Sequence, residues 1–229
     1  MATIELIHGS CADQNADVIV NAANRYLAEG GGICGVIFKK AGSSELAAAC
    51  REYKTPLEDG DAVITPAFGL SNAKGIIHAV GPNFGSTPEA FDELFAAYFN
   101  SLVVLKDNGY HSISFPLISS GIFGGRLENP ARESAKRCCG AVRNFVAKYP
   151  DYELKVLLCA FSDSEYQKVL AYFDGNTTKE MHLSTGDALT NILGGKIQED
   201  GTQFRVVVED GNNMVVQVKV GYLKEKDNV

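Results

Sequence analysis

Strand-length apolar runs alternate with longer helical patterns through most of this chain, and that alternation leaves few folds open. Thr3–Ile7, Asp17–Val20, Ala62–Pro66, Gly75–Val80 and His111–Pro116 have the length and the β-branched or alternating character of strands. Leu154–Ala160 is apolar apart from Lys155, which predicts a strand buried on both faces near the sheet centre. Between these runs, Ile33–Ala41 follows a glycine cluster, and Ser43 is predicted to cap a helix over Ser44–Tyr53. Pro88 is predicted to open a long helix carrying Phe91, Leu94, Phe95, Tyr98, Leu102 and Leu105, ended by Asn108-Gly109. Pro130–Lys148 is helical, and Ser162 or Asp163 caps a last helix reaching Phe173. Strands alternating with helices predict a mostly parallel or mixed sheet covered on both faces. In such sheets ligands bind beyond the C-terminal ends of the strands.

Composition agrees with a folded α/β domain. The chain has 229 residues, 45% of them hydrophobic, enough to fill a sizeable core. The pattern changes at Asp174-Gly175-Asn176-Thr177-Thr178, a run of turn residues. Two units are therefore expected: residues 1–174, and a small α+β module at 175–229. The second has a short helix from Ser184 to Leu193 and a hairpin of Gln203–Val208 with Met214–Val220.

The net charge of −7 argues against a nucleic-acid duplex as the main partner, because duplex binding needs a broad basic face. A small anion held by backbone N–H groups needs no such charge. No apolar run approaches a membrane span, and the N-terminus lacks a signal-peptide pattern, so a cytoplasmic protein is expected. The six cysteines include no C-x-x-C pair; they read as buried free thiols, with no metal site. Cys138-Cys139 could serve a redox-sensitive interaction protein, but their helical setting reads as packing.

Three segments that follow strands carry the chemistry. Asn21-Ala22-Ala23-Asn24 runs on to Glu29-Gly30-Gly31-Gly32-Ile33-Cys34, where a glycine run opens a helix. Side-chain-free backbone and the unpaired N–H groups of a helix N-terminus together make a phosphate seat, although glycine-rich strand-to-helix loops are also common without ligands. Asn24 can meet ribose hydroxyls with both halves of its amide. Ile118-Ser119-Ser120-Gly121-Ile122-Phe123-Gly124-Gly125 offers a second set of small residues and N–H donors. Phe161, at the end of the apolar strand, can stack on a flat base or pack in the core.

Together these segments resemble the macro domain family. The resemblance rests on Asn21–Asn24 with Gly30–Gly32, on His78-Ala79-Val80-Gly81-Pro82, on Ser119–Gly124 and on Phe161, and spans about residues 1 to 173. It implies a three-layer α/β/α sandwich around a mixed sheet, and ADP-ribose, free or on protein, as ligand. No cofactor is implied. By this resemblance Gly30, Gly31, Gly32, Ile33 and Cys34 line the diphosphate from one side, and Ser119, Ser120, Gly121, Ile122 and Phe123 from the other. Asn24 holds the distal ribose beside Ala22, and Phe161 takes the adenine. The chain also departs from the family. Gly9-Ser10-Cys11 stands where many members have Gly-Asp-Ile, so Ser10 and Cys11 replace an Asp-bearing adenine contact. Cys34 stands where one hydrolase branch has Asp, so the chain sits nearer the branch lacking it, as in viral macro domains.

Two functions follow. One is a hydrolase that frees ADP-ribose from a protein or small adduct through an oxocarbenium-like transition state, with Asn24 orienting the ribose. Glu29 is then a candidate base, although an ordinary solvated loop carboxylate is the simpler reading. The other is a reader that binds ADP-ribose without turnover, which Cys34 favours. The Asn24 and glycine-loop pair tips the balance to a mono-ADP-ribosylhydrolase.

Overall fold

The protein is described from a computed structural model covering residues 2–177, 206–208 and 216–220. Its elements run β1 (Ala2–His8), β2 (Val18–Ala23), α1 (Gly32–Ala41), α2 (Ser43–Cys50), β3 (Ala62–Pro66), β4 (Gly75–Val80), α3 (Phe91–Asp107), β5 (Ser112–Pro116), α4 (Pro130–Lys148), β6 (Leu154–Ala160), α5 (Asp163–Thr177), β7 (Val206–Val208) and β8 (Val216–Val220). Short 3₁₀ turns sit at Cys11–Asp13 and Ile122–Gly124.

The sheet order is β3-β4-β2-β5-β6-β1-β8-β7. β4, β2, β5, β6 and β1 are mutually parallel, whereas β3 joins β4, and β8 joins β1, antiparallel. The sheet is thus mixed, and helices cover both faces. Alternating strand residues feed two apolar clusters, as the two-residue period of a strand requires. Val18, Val20, Ile77, Phe115, Val156 and Leu158 pack with α3, α4 and α5 around Tyr98 and Phe145. Ile19, Ile76, Leu157 and Cys159 pack with α1 and α2 around Ile37, Phe38 and Leu46.

Several boundaries differ from the sequence expectations: α5 runs on to Thr177, through residues expected to turn, and α2 ends at Cys50 rather than Tyr53. β2 continues through Asn21–Ala23, because these residues pair in register with His78–Val80. Asn21 is therefore buried in the sheet rather than in a loop. The cap of α2 is Gly42, not Ser43: a single glycine at φ 97° ends α1 and starts α2, a turn that a side chain would strain. The next helix starts at Phe91 rather than at Pro88. The preceding residues are held in turns by Asn83, whose carbonyl accepts from the Ser86 and Thr87 amides, and by Thr87, whose carbonyl accepts from Ala90.

Of the C-terminal expectations, the helix at Ser184–Leu193 lies outside the described residues. The hairpin corresponds to β7 and β8, which pair antiparallel, and β8 runs along β1 from Ala2 to Leu6. Among the described residues, both apolar clusters lie between Ala2 and Phe173. A chain ending at Asp174 is therefore expected to fold, at the cost of baring the β1 edge, which would appear as concentration-dependent association. Sedimentation and circular dichroism would check this; a truncated chain that does not fold would make residues 175–229 part of the core.

Asp17 pins the starts of two parallel strands. Its Oδ2 accepts from the backbone N–H of His111 and Ser112 and from Ser112 Oγ, and its Oδ1 pairs with Lys74 at 2.7 Å. Burial alone would raise its pKa, but the hydrogen bonds from Lys74, His111 and Ser112 outweigh that and hold it at about 2. The folded state thus prefers the carboxylate. Its contribution is fully present above the ordinary value of 3.8 and is lost as pH falls toward about 2. Asp17→Asn is expected to cost about 1–2 kcal/mol at pH 7, after allowance for solvent screening, and to flatten the acid limb of stability between pH 4 and 2. Urea midpoints measured across that range would test it.

Candidate functional site

The five parallel strands end on the same edge of the sheet, and a cleft of about 430 Å³ lies beyond them. Each strand end supplies part of its wall. Gly9, Ser10 and Cys11 follow β1; Ala22, Ala23 and Asn24 end β2; Gly81 follows β4; Pro116 to Phe123 end and follow β5; Cys159 and Phe161 flank the end of β6. Gly30–Cys34 and Val36, leading into and along α1, form one long wall, and Glu165 of α5 closes one end.

Every candidate ligand-binding residue from the sequence lines this one cleft: Ser10, Cys11, Ala22, Asn24, Gly30–Cys34, Ser119–Phe123 and Phe161. Glu29 is not among the lining residues. It is exposed, and its Oε1 accepts from Ser43 Oγ at 3.2 Å. Gly81, Val36, Cys159 and Glu165 also line the cleft, although none is among the ligand-binding residues expected from the sequence. Gly81 lay inside a motif that was recognised, and Glu165 completes an S-x-x-E capping box with Ser162 that the sequence displays.

The glycines of the two walls are not explained by packing within the protein. Gly31 has φ −81° and ψ −178°, values open to any residue, whereas Gly121 has φ −88° and ψ −125°, outside the regions most residues occupy. A Cβ there would meet nothing within 4 Å. What their missing side chains leave is bare backbone facing open cleft. Gly81 is the opposite case: a Cβ would lie 2.4 Å from both Ile118 Cγ2 and Ser119 Oγ. Its bare backbone lets the second wall lean against the loop after β4. That wall is fixed by Ser119 Oγ donating to the Pro82 carbonyl at 2.8 Å and by Phe84 N–H donating to the Phe123 carbonyl at 2.9 Å. Ser119 sits at φ 57°, a strained conformation for a residue with a side chain, and this contact network holds it there.

Electrostatically the cleft suits an anion without cations. Among the described residues no Lys or Arg lines it, and the one charged residue that does is Glu165. Attraction comes from α1. Alone among the five described α-helices, α1 has neither a side-chain cap nor an acidic residue in its first turn. Its opening N–H groups and positive dipole end are left for whatever enters.

Asn24 is partly committed. Its Oδ1 accepts from the N–H of Tyr26 and Ala28, and its Nδ2 donates to the Ala28 carbonyl at 2.7 Å. One amide hydrogen remains for the cleft. Phe161 is 74% exposed, so its ring is a lip of the cleft and not a core residue. Ser10 Oγ accepts from Ala12 N–H, capping the 3₁₀ turn.

The thiols of the wall are protonated at neutral pH. Burial pushes Cys11 and Cys34 up and Cys159 up to about 12. Below the wall, Asn21 Nδ2 lies 3.1 Å from His78 Nδ1, and His78 Nε2 lies 3.0 Å from Thr65 Oγ1. Burial depresses His78 to about 4, so it is a neutral structural imidazole. All six cysteines are buried and free, with Cys138 and Cys139 inside the α3–α5 core. Among the described residues the cleft wall therefore presents neither thiolate nor imidazolium.

The fold is shared with known proteins. A family model described as Macro domain matches residues 20–134. A macro domain-containing protein from Streptomyces griseus is 39% identical over 176 residues, covering 73% of this chain and 94% of that protein. An O-acetyl-ADP-ribose deacetylase from Cronobacter turicensis is 36% identical, covering 75% and 97%. The solved Oceanobacillus iheyensis macrodomain with ADP superposes with a TM-score of 0.67 at 33% identity, covering 77% of this chain and 92% of that one. The chain belongs to the macro domain family.

The two kinds of glycine should respond differently to a methyl group. Gly81→Ala is expected to destabilise the fold by about 1–3 kcal/mol through overpacking against Ile118 and Ser119. Gly31→Ala is expected to leave thermal stability within about 0.5 kcal/mol of wild type. Equal effects in thermal melts would show that the Gly31 wall is also packed.

Proposed function

We propose that the cleft binds ADP-ribose, free or attached to protein. The observation that carries this is the pair of bare-backbone walls facing one space, one of them the uncapped start of α1. Gly30–Cys34 and Ser119–Phe123 then flank the diphosphate, donating N–H groups where no cation stands. Asn24 meets the distal ribose above Ala22. Ser10, Cys11 and Phe161 meet the adenine. The relatives support the same ligand class, one being a deacetylase of an ADP-ribose ester and another a macrodomain with ADP. Among the described residues no helix is long and apolar enough to cross a membrane, and six free thiols suit a cytoplasmic location.

The function we assign on top of binding is hydrolysis of ADP-ribosyl groups from protein or small-molecule adducts. The protonated thiols, the neutral buried His78 and the committed oxygens of Glu165 leave no strong general base in the cleft wall. Water would be held by backbone groups near Gly32 and Ile33 and by the ligand's own phosphate, with Asn24 fixing the ribose. This is catalysis by positioning. Glu29 could take part only by turning from Ser43 toward the cleft. Cys34, where a carboxylate would assist hydrolysis, is the observation that favours a reader without turnover.

Isothermal titration is expected to show binding of ADP-ribose and weaker binding of ADP. No heat with either ligand at millimolar concentration would sink the assignment. Gly31→Glu is expected to abolish binding while circular dichroism stays native, since it fills the seat with negative charge. Asn24→Ala is expected to slow release of ADP-ribose from mono-ADP-ribosylated substrates by about 30- to 900-fold, the 2–4 kcal/mol a single polarising donor supplies. Its affinity should fall less, because the diphosphate contacts lie elsewhere. Binding without release by the wild type would make the protein a reader.

A further inference from the structure

We propose that Glu165 is a positioning residue that clasps the second cleft wall to the aromatic lip before any ligand arrives. Its Oε2 accepts from the backbone N–H of Phe161 at 3.2 Å and of Ser162 at 3.1 Å, and from Ser162 Oγ at 3.3 Å. Its own N–H donates back to Ser162 Oγ at 3.2 Å, which completes a capping box on α5. A cap needs no more than that. The other oxygen does something else: Oε1 accepts from Ser120 Oγ at 2.9 Å, forty-five residues away in the chain. One carboxylate thus ties the loop after β5 to the strand end that carries Phe161.

Both of the parts it joins need holding. Ile122 is 92% exposed and Phe161 74% exposed, so neither side chain is anchored by burial. Gly121 has no side chain, and Ser119 is kept in a strained conformation. The Phe161 ring is placed by its backbone, and Glu165 grips that N–H. The clasp also accounts for a carboxylate in the lining of an anion seat. Four hydrogen bonds and the positive end of α5 are spent on it, so its charge is answered within the protein. Of the two helix starts at the cleft, only that of α1 is then left open to an anion.

This inference rests on the cleft being an ADP-ribose site, and its effect is preorganisation: a loop and lip already in place cost less order on binding. The test begins without ligand. Hydrogen exchange at residues 119–123 is expected to speed up in both Glu165→Ala and Ser120→Ala. Glu165→Gln is expected to restore slow exchange, since its carbonyl can take the cap and its amide can donate to Ser120 Oγ. Titration with ADP-ribose is expected to weaken about 10-fold in Glu165→Ala, with the Ser120→Ala/Glu165→Ala double variant no weaker, and Glu165→Gln within about 3-fold of wild type. Unchanged exchange at 119–123 in Glu165→Ala, with only a lower melting temperature, would reduce Glu165 to a helix cap and overturn the proposal. Faster exchange in a protein whose wild type does not bind ADP-ribose would support the clasp and refute the ligand.

Discussion

Five strands lie side by side and parallel, and everything at the site depends on that alignment. Parallel strands end on one edge, so the residues that follow β1, β2, β4, β5 and β6 are delivered to one place although they are spread from Gly9 to Phe161. The apolar clusters on the two faces fix the register, because a one-residue slip would turn Ile19, Ile76 and Leu157 away from α1 and α2. Asp17 adds a polar pin, holding the start of β2 to the start of β5. The cleft is thus a consequence of strand direction, and its contents are a consequence of which residues come next.

What comes next is mostly backbone. An acidic chain can hold an anion if the donors are N–H groups whose orientation is fixed by the fold. Here the helix that points at the cleft is the one without a cap or an acidic first turn, whereas α5, nearby, has its dipole answered by Glu165 and Ser162. The division is economical in charge: one helix end stays open and its neighbour is closed. It also limits the chemistry. With thiols kept protonated by burial and His78 kept neutral, the hydrolysis we propose would rest on holding ribose, water and phosphate in place.

Much of this was legible from the sequence, for identifiable reasons. Strand runs such as Gly75–Val80 and Leu154–Ala160 were readable because burial on both faces demands mostly apolar residues, interrupted here only by His78 and by the exposed Lys155. The glycine walls were readable because two such loops follow strands in the company of Asn24, the His78–Pro82 run and Phe161, a combination that is specific where each part alone is common. The errors came where local signals compete. Asn21 looks like a loop residue, yet a buried amide can stay in a strand when a neighbour such as His78 partners it. Ser43 looks like a cap, but the tight turn between α1 and α2 demanded a left-handed residue one position earlier, and Gly42 took the role. Glu165 was missed because its second partner, Ser120, is distant in sequence, and no local pattern reports a contact across forty-five residues.

The central claim is that backbone N–H groups of the two walls form the ligand seat. The most direct measurement is a ¹⁵N–¹H spectrum of the protein titrated with ADP-ribose. The amides of Gly31, Gly32 and Ile33 and those of Gly121, Ile122 and Phe123 are expected to shift together and saturate at one affinity. Binding that leaves these amides unmoved and shifts residues elsewhere on the surface would contradict it.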